Sequence, residues 1–150
     1  MSLDIMGRMK EYFSLDKQKR EHIEEIIKKT LYQRGDIVFA YLYGSFLDSP
    51  SFRDIDIGVH IRAADKNRTL DYEMEVAQSV SEATGMPFDI VEITVLNFAP
   101  NSFLNNVFSR GTLLFSKNNQ LLADIIEDTS LDALANEHIA SQSLRELIPT

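Results

Sequence analysis

Two carboxylates stand inside an otherwise apolar segment, in the run Asp54-Ile55-Asp56. In a β-strand, side chains alternate between the two faces, so we expect Asp54 and Asp56 on one face and Ile55 on the other. Their spacing along the strand is roughly 6.6 Å, at about 3.3 Å per residue. Like charges this close repel each other unless the face is wet or a cation lies between them. Mg²⁺ is the natural candidate, since it takes carboxylate oxygens, waters and substrate phosphates as ligands.

A pair of small residues, Gly44-Ser45, precedes the carboxylates at the end of another apolar segment. Glycine lets the backbone approach a ligand closely, and the Ser45 hydroxyl adds a hydrogen bond. A strand that turns into the start of a helix presents backbone N–H groups to an anion such as phosphate. A phosphate cradle beside a carboxylate pair predicts metal-assisted chemistry on a nucleoside triphosphate.

A third carboxylate would complete a two-metal site, and we predict that Asp89 supplies it. Asp89 stands near the start of an apolar segment (88–95), where it could also help to deprotonate an attacking hydroxyl. Glu92 is the alternative, although strand alternation places it on the face opposite Asp89. The choice of Asp89 requires that Val91 and Ile93 face the same side as the site.

Apolar periodicity predicts helices that alternate with strands along the chain. The predicted helices are 16–33, ended by Gly35, then 67–84, a helix opened by Pro100, and a tail at about 118–147. The predicted strands are 36–44, 54–61, 88–95 and 112–115. In the second helix, the apolar face is expected to consist of Leu70, Met74, Ala77 and Val80. We predict one domain over 1–150 of the α/β (α+β) class, with a mixed sheet of about four strands flanked by helices.

The composition narrows the classes of partner. The net charge is −8, from 23 acidic and 15 basic residues, which argues against strong binding of nucleic acid or of an anionic membrane. The lysines and arginines at 17–20 and 28–29 are expected on an exposed helix face. There are no cysteines, so disulfides and thiolate metal sites are excluded. No segment approaches the about 18 apolar residues of a membrane span, and we expect a soluble cytoplasmic protein.

The motifs together resemble those of the polymerase β-type nucleotidyltransferase superfamily. One part of the resemblance consists of Gly44-Ser45, a polar loop, the Asp-x-Asp pair and a later strand carboxylate. The sequence FDIVEITVLNFAPNSFLNNVFSRGTLLF (88–115) forms the other, since it is similar to the second half of the minimal nucleotidyltransferases, which include the MntA-like antitoxins. The resemblance covers about 38–128, and it implies the mixed-sheet fold of the polymerase β palm.

The resemblance also implies residue roles. Asp54 and Asp56 match the metal-binding pair, Asp89 matches the third metal ligand and base, and Gly44 and Ser45 match the pair that binds the β- and γ-phosphates. Two Mg²⁺ ions would serve as cofactors and ATP as substrate. Many members are antitoxins beside a HEPN-type ribonuclease toxin, and some transfer AMP to a tyrosine of that toxin.

Two departures from the family pattern lie between the motifs. Only eight residues, 46–53, separate Ser45 from Asp54, which is shorter than usual in the family. Family members often carry arginine directly after the serine, whereas this chain has Phe46. Arg53 could compensate for the missing cation.

The sequence therefore leaves alternatives from different classes. The first is a Mg²⁺-dependent nucleotidyltransferase that passes AMP to a toxin tyrosine or a similar hydroxyl. The second is a binding module that keeps the fold and neutralises a partner by occlusion, as the short loop and Phe46 suggest. A third is transfer to a small molecule, for which the tail at 118–150 is short.

Overall fold

The computed structural model describes residues 2–3, 9–10 and 13–147, with side chains over 13–135 and at 138. The strands are β1 (Ser2–Leu3), β2 (Met9–Lys10), β3 (Phe13–Ser14), β4 (Ile37–Tyr43), β5 (Ser51–Phe52), β6 (Ile55–Ile61), β7 (Val91–Val95) and β8 (Thr112–Ser116). The α-helices are α1 (Lys17–Tyr32), α2 (Ser45–Asp48), α3 (Thr69–Thr84), α4 (Asn101–Arg110) and α5 (Asn119–Leu147). Short 3₁₀ helices occupy Lys66–Arg68, Phe88–Ile90 and Leu96–Phe98.

A four-stranded mixed sheet forms the centre of the fold, in the order β7-β6-β4-β8. Strand β4 is antiparallel to both β6 and β8, whereas β6 and β7 are parallel. Two further antiparallel pairs, β1 with β2 and β3 with β5, lie outside this sheet. The predicted class, a mixed sheet of about four strands flanked by helices, is confirmed.

Each face of the sheet is covered by a different set of helices. On one face, Ile55 and Ile57 of β6 share a buried cluster with α1 and α3. On the other face, Phe39 and Tyr41 of β4 pack with Leu104 of α4 and with α5. Burial on both faces explains why β4 is an almost continuous apolar run. None of the helices in the described part of the chain is long and apolar enough to span a membrane.

The predicted helices and strands occur within a few residues of their expected bounds, with three differences. Helix α1 ends at Tyr32, and Gln33 caps it in a right-handed conformation, so Gly35 is not its cap. Strand β7 begins at Val91 because 88–90 form a 3₁₀ turn. Asp54 directly precedes β6, which begins at Ile55.

The buried face of α3 also differs from the prediction. Leu70 and Met74 are 68% and 51% exposed. The residues that α3 buries are Val76, Ala77 and Val80. They join the cluster formed with α1 and β7, while the first turns of α3 remain in solvent. The periodicity identified the helix but not which of its turns reach the core.

Candidate nucleotide and metal site

Strand β4 ends in a sharp turn at Gly44. This residue has φ 82° and ψ −158°, a region that is almost exclusive to glycine. A Cβ atom at Gly44 would overlap Oδ2 of Asp56. The turn therefore brings the backbone of the Gly-Ser pair into direct contact with the second carboxylate of the Asp-x-Asp pair.

The single turn of α2 follows directly and fixes the backbone after Gly44. The carbonyl oxygen of Gly44 accepts hydrogen bonds from the amides of Leu47 and Asp48, each at 3.1 Å. The amide of Ser49 donates to the carbonyl of Ser45 at 2.9 Å. The half-buried Ser45 thus begins an ordered turn, directly after the glycine that contacts Asp56.

Asp56 forms an acidic pair with Glu92. The two residues occupy the same level of the parallel strands β6 and β7. Burial, a hydrogen bond with Glu92 and the charges of Glu92 and Asp54 together raise the pKa of Asp56 to about 7. In the absence of a cation, Asp56 therefore retains its proton well above the usual range for an aspartate.

The register also decides which residue of β7 faces the site. Val91 and Ile93 are buried in the core on the opposite face, together with Ile57. The condition on which the choice of Asp89 depends is therefore not met, and Glu92 is the residue beside Asp56. Asp89 is exposed in the 3₁₀ turn that leads into β7. Its role as third ligand stays a prediction.

A tyrosine outside the sequence motifs borders the carboxylates. Tyr43 lies level with Asp56, and its hydroxyl donates to Oγ1 of Thr94 across β6 at 3.4 Å. Its ring meets Phe103 of α4 edge-on, with centroids 5.8 Å apart. Burial raises the pKa of Tyr43, and the charges of Asp56 and Glu92 add to this effect, so the phenol stays neutral. In the sequence, only its position directly before Gly44 indicates that Tyr43 lies beside the carboxylates.

The donor set fits a divalent cation. Asp54, Asp56 and Glu92 offer carboxylate oxygens, the ligands that Mg²⁺ prefers. A cation there would relieve the repulsion that raises the pKa of Asp56. In the part of the chain that the structure describes, no three His, Cys, Asp or Glu residues are grouped closely enough to hold an ion by themselves. Phosphate oxygens and waters would have to complete the coordination of Mg²⁺.

Solved structures with a similar fold belong to toxin–antitoxin complexes. One is a tri-AMPylated HEPN toxin of Shewanella oneidensis in complex with an MNT antitoxin (20% identity, TM-score 0.60, covering 87% of this chain and 99% of that chain). Another is a toxin–antitoxin structure with AMP-PNP (21% identity, TM-score 0.61, covering 84% and 98%). A third is an MntA-HepT complex (16% identity, TM-score 0.56, covering 89% and 100%). At these identities the likeness establishes the fold.

A comparison with curated proteins gives no match. The family described as "Polymerase beta, Nucleotidyltransferase" matches residues 25–120. This range is more than half of the chain, and it contains the Gly-Ser turn, the Asp-x-Asp pair and both candidates for the third carboxylate. The chain therefore belongs to the polymerase beta nucleotidyltransferase family.

Proposed function

We propose that the protein transfers AMP from ATP to a hydroxyl group of a partner protein, with a tyrosine of a HEPN-type toxin as the acceptor. The observation that carries this proposal is the contact between Gly44 and Asp56. It joins the candidate phosphate-binding turn to the candidate metal ligands at one end of the sheet. Membership of the nucleotidyltransferase family supports the reaction class.

Each motif has a defined task in this reaction. Asp54 and Asp56 hold the metal ions, and Gly44 and Ser45 hold the β- and γ-phosphates. Two Mg²⁺ ions, when bound, would neutralise the phosphate oxygens and the leaving pyrophosphate. The acceptor oxygen attacks the α-phosphorus, the bond to pyrophosphate breaks, and a carboxylate takes the hydroxyl proton.

The third carboxylate has two candidates. The register of β6 and β7 and the contact with Asp56 support Glu92. The resemblance to the family supports Asp89. We propose Glu92 as the ligand and proton acceptor, and substitution of each residue in turn distinguishes the two.

The acceptor is proposed from the solved neighbours. One of the similar complexes contains a tri-AMPylated HEPN toxin, and another contains AMP-PNP. A HEPN-type toxin as partner and ATP as donor are consistent with both. The net charge of −8 agrees with a protein partner rather than a nucleic acid.

The proposal is tested by transfer of label to a purified HEPN-type toxin. With [α-³²P]ATP and Mg²⁺, the toxin should become labelled, and with [γ-³²P]ATP it should not. The Asp54→Asn variant should transfer nothing while retaining its circular dichroism spectrum. Label from the γ-position, or full transfer by Asp54→Asn, would contradict the proposal.

One observation favours occlusion without catalysis as a second candidate. Phe46 occupies the position where relatives often carry arginine, and its side chain is only 2% exposed, so it points into the protein. The candidate phosphate-binding turn at Gly44-Ser45 thus lacks the arginine that often follows the serine in relatives. Under occlusion, the Asp54→Asn/Asp56→Asn variant would neutralise the toxin as well as the wild type does, whereas under the transferase proposal it would fail.

A further inference from the structure

The loop between Ser45 and Asp54 connects the two halves of the candidate site. One end carries the Gly-Ser turn and the other end carries the first carboxylate, so the path of the loop fixes their separation. Phe46 and Phe52 anchor it near each end. Their rings meet edge-on with centroids 4.7 Å apart, and both side chains are buried.

The anchor of the loop includes strand β3. Phe52 lies opposite Phe13 in the β3–β5 pair, and the two rings stack with centroids 5.9 Å apart. The residue after the serine is therefore part of an aromatic cluster of Phe13, Phe46 and Phe52 under the loop. It does not serve as a phosphate ligand.

One cation from α1 contacts this cluster and the loop backbone together. The guanidinium of Arg20 lies over the ring of Phe46 at 5.0 Å and over that of Phe52 at 5.6 Å. Its Nη1 donates to the carbonyl oxygen of Ser49 at 2.5 Å. A planar guanidinium stacks flat on a ring while its edge donates in a fixed direction, whereas an ammonium group keeps the charge and a donor but has no plane to stack.

Arg20 spans an open space between α1 and the loop. A cavity of about 410 Å³ is lined by Lys17 and Glu24 of α1 on one side and by Leu47 and Pro50 of the loop on the other. Water therefore reaches much of the outer side of the loop. The carbonyl of Ser49 lies in the middle of the loop, where the contact with Arg20 limits its movement.

We infer that Arg20 is a positioning residue, which holds the loop between Ser45 and Asp54 in the conformation that binds the metal–nucleotide complex. This inference rests on the proposed function, because the bound group is ATP with Mg²⁺. Arg20 belongs to α1 and lies outside both the Gly-Ser and the Asp-x-Asp motifs. Arg20 acts through the aromatic cluster and the carbonyl of Ser49, without touching the nucleotide.

The test compares Arg20→Lys with a matched substitution at Arg34, just beyond the C-terminal end of α1. Arg34 also lies over an aromatic ring, that of Tyr72 at 5.4 Å, and pairs with Glu75 at 3.4 Å. Arg34→Lys therefore removes similar interactions away from the loop. Binding of AMP-PNP with Mg²⁺ is measured by calorimetry, and hydrogen exchange of the loop amides is measured without nucleotide.

We expect Arg20→Lys to raise the dissociation constant of AMP-PNP about tenfold, which corresponds to a loss of about 1.4 kcal/mol of binding free energy. Exchange of the amides of residues 46–49 should become faster in this variant. Arg34→Lys should leave both quantities unchanged while lowering the melting temperature by a similar amount. Arg20→Met should weaken binding further, because it lacks the charge and the hydrogen bond.

Wild-type affinity and wild-type loop exchange in Arg20→Lys would overturn the inference, as would equal weakening by Arg34→Lys. If the wild type itself binds no AMP-PNP, the proposed function fails and the nucleotide part of the inference fails with it. Faster loop exchange in Arg20→Lys would then still establish that Arg20 holds the loop, and unchanged exchange would overturn that part too.

Discussion

The carboxylate of Asp56 lies against the α-carbon of Gly44, in the space that a Cβ atom of any other residue would occupy. Gly44 directly follows β4, Asp56 lies in the antiparallel neighbour β6, and Tyr43 lies level with Asp56 in the register of the two strands. Position 44 requires glycine for two reasons: the positive φ of the turn, and the absence of a Cβ atom that leaves room for the Asp56 carboxylate. The turn and the position of the carboxylate therefore depend on the same residue.

Substitution of Gly44 should weaken nucleotide binding by more than backbone strain alone would cause. We expect Gly44→Ala to abolish binding of AMP-PNP with Mg²⁺, because the new methyl group displaces the Asp56 carboxylate. Gly85→Ala is the matched control, since Gly85 also has a positive φ, of 76°, but a methyl group there would meet nothing within 4 Å. That control should lose about 1 kcal/mol of unfolding free energy and bind normally. Normal binding by Gly44→Ala would contradict this account of the turn.

The pH dependence of stability should report the raised pKa of Asp56. An unfolded aspartate ionises near pH 3.9, whereas Asp56 in the folded protein retains its proton up to about pH 7. The folded state then binds more protons, so this residue lowers stability as the pH rises from about 4 to about 7, with no further change above. Without metal, Asp56→Asn should have a higher melting temperature than the wild type at pH 7.5. The difference should shrink toward pH 4.5, and a difference independent of pH would refute the assignment.

Paired substitutions should identify the third carboxylate. Glu92→Gln removes the charge beside Asp56 and should lower kcat by about a hundredfold or more, the size expected for a lost proton acceptor. Asp89→Asn, in the exposed turn before β7, should have a much smaller effect. The measurement is the rate at which labelled AMP is transferred from [α-³²P]ATP to the toxin at saturating ATP. The reverse order of effects would restore Asp89 to the role that the resemblance implies.

The comparison of Asp89 with Glu92 illustrates what the sequence could predict. The runs 36–44 and 54–61 identified β4 and β6 to within a residue, because β-branched residues recur in both. The start of β7 was wrong by three residues, since 88–90 form a 3₁₀ turn that is as apolar as a strand. The parallel register that places Glu92 beside Asp56 depends on a pairing between distant segments, which local patterns do not encode.

The support of the loop was equally invisible in the sequence. Phe46 could be identified as a departure from the family, but nothing local indicated where its ring would pack. Arg20 looked like one charge on an exposed helix face, yet it lies over Phe46 and binds the loop backbone. Such a contact joins residues far apart in the chain, so only the tertiary structure reveals it.

In the proposed reaction, the carboxylates of Asp54 and Asp56 bind a metal–nucleotide complex. Titration calorimetry of the purified chain with ATP, with and without Mg²⁺, tests it most directly beside the Asp54→Asn/Asp56→Asn variant. We predict binding that requires Mg²⁺ and is lost in the variant, while the variant keeps its fold by circular dichroism. Absence of binding in the wild type, or binding by the variant equal to that of the wild type, would contradict the claim.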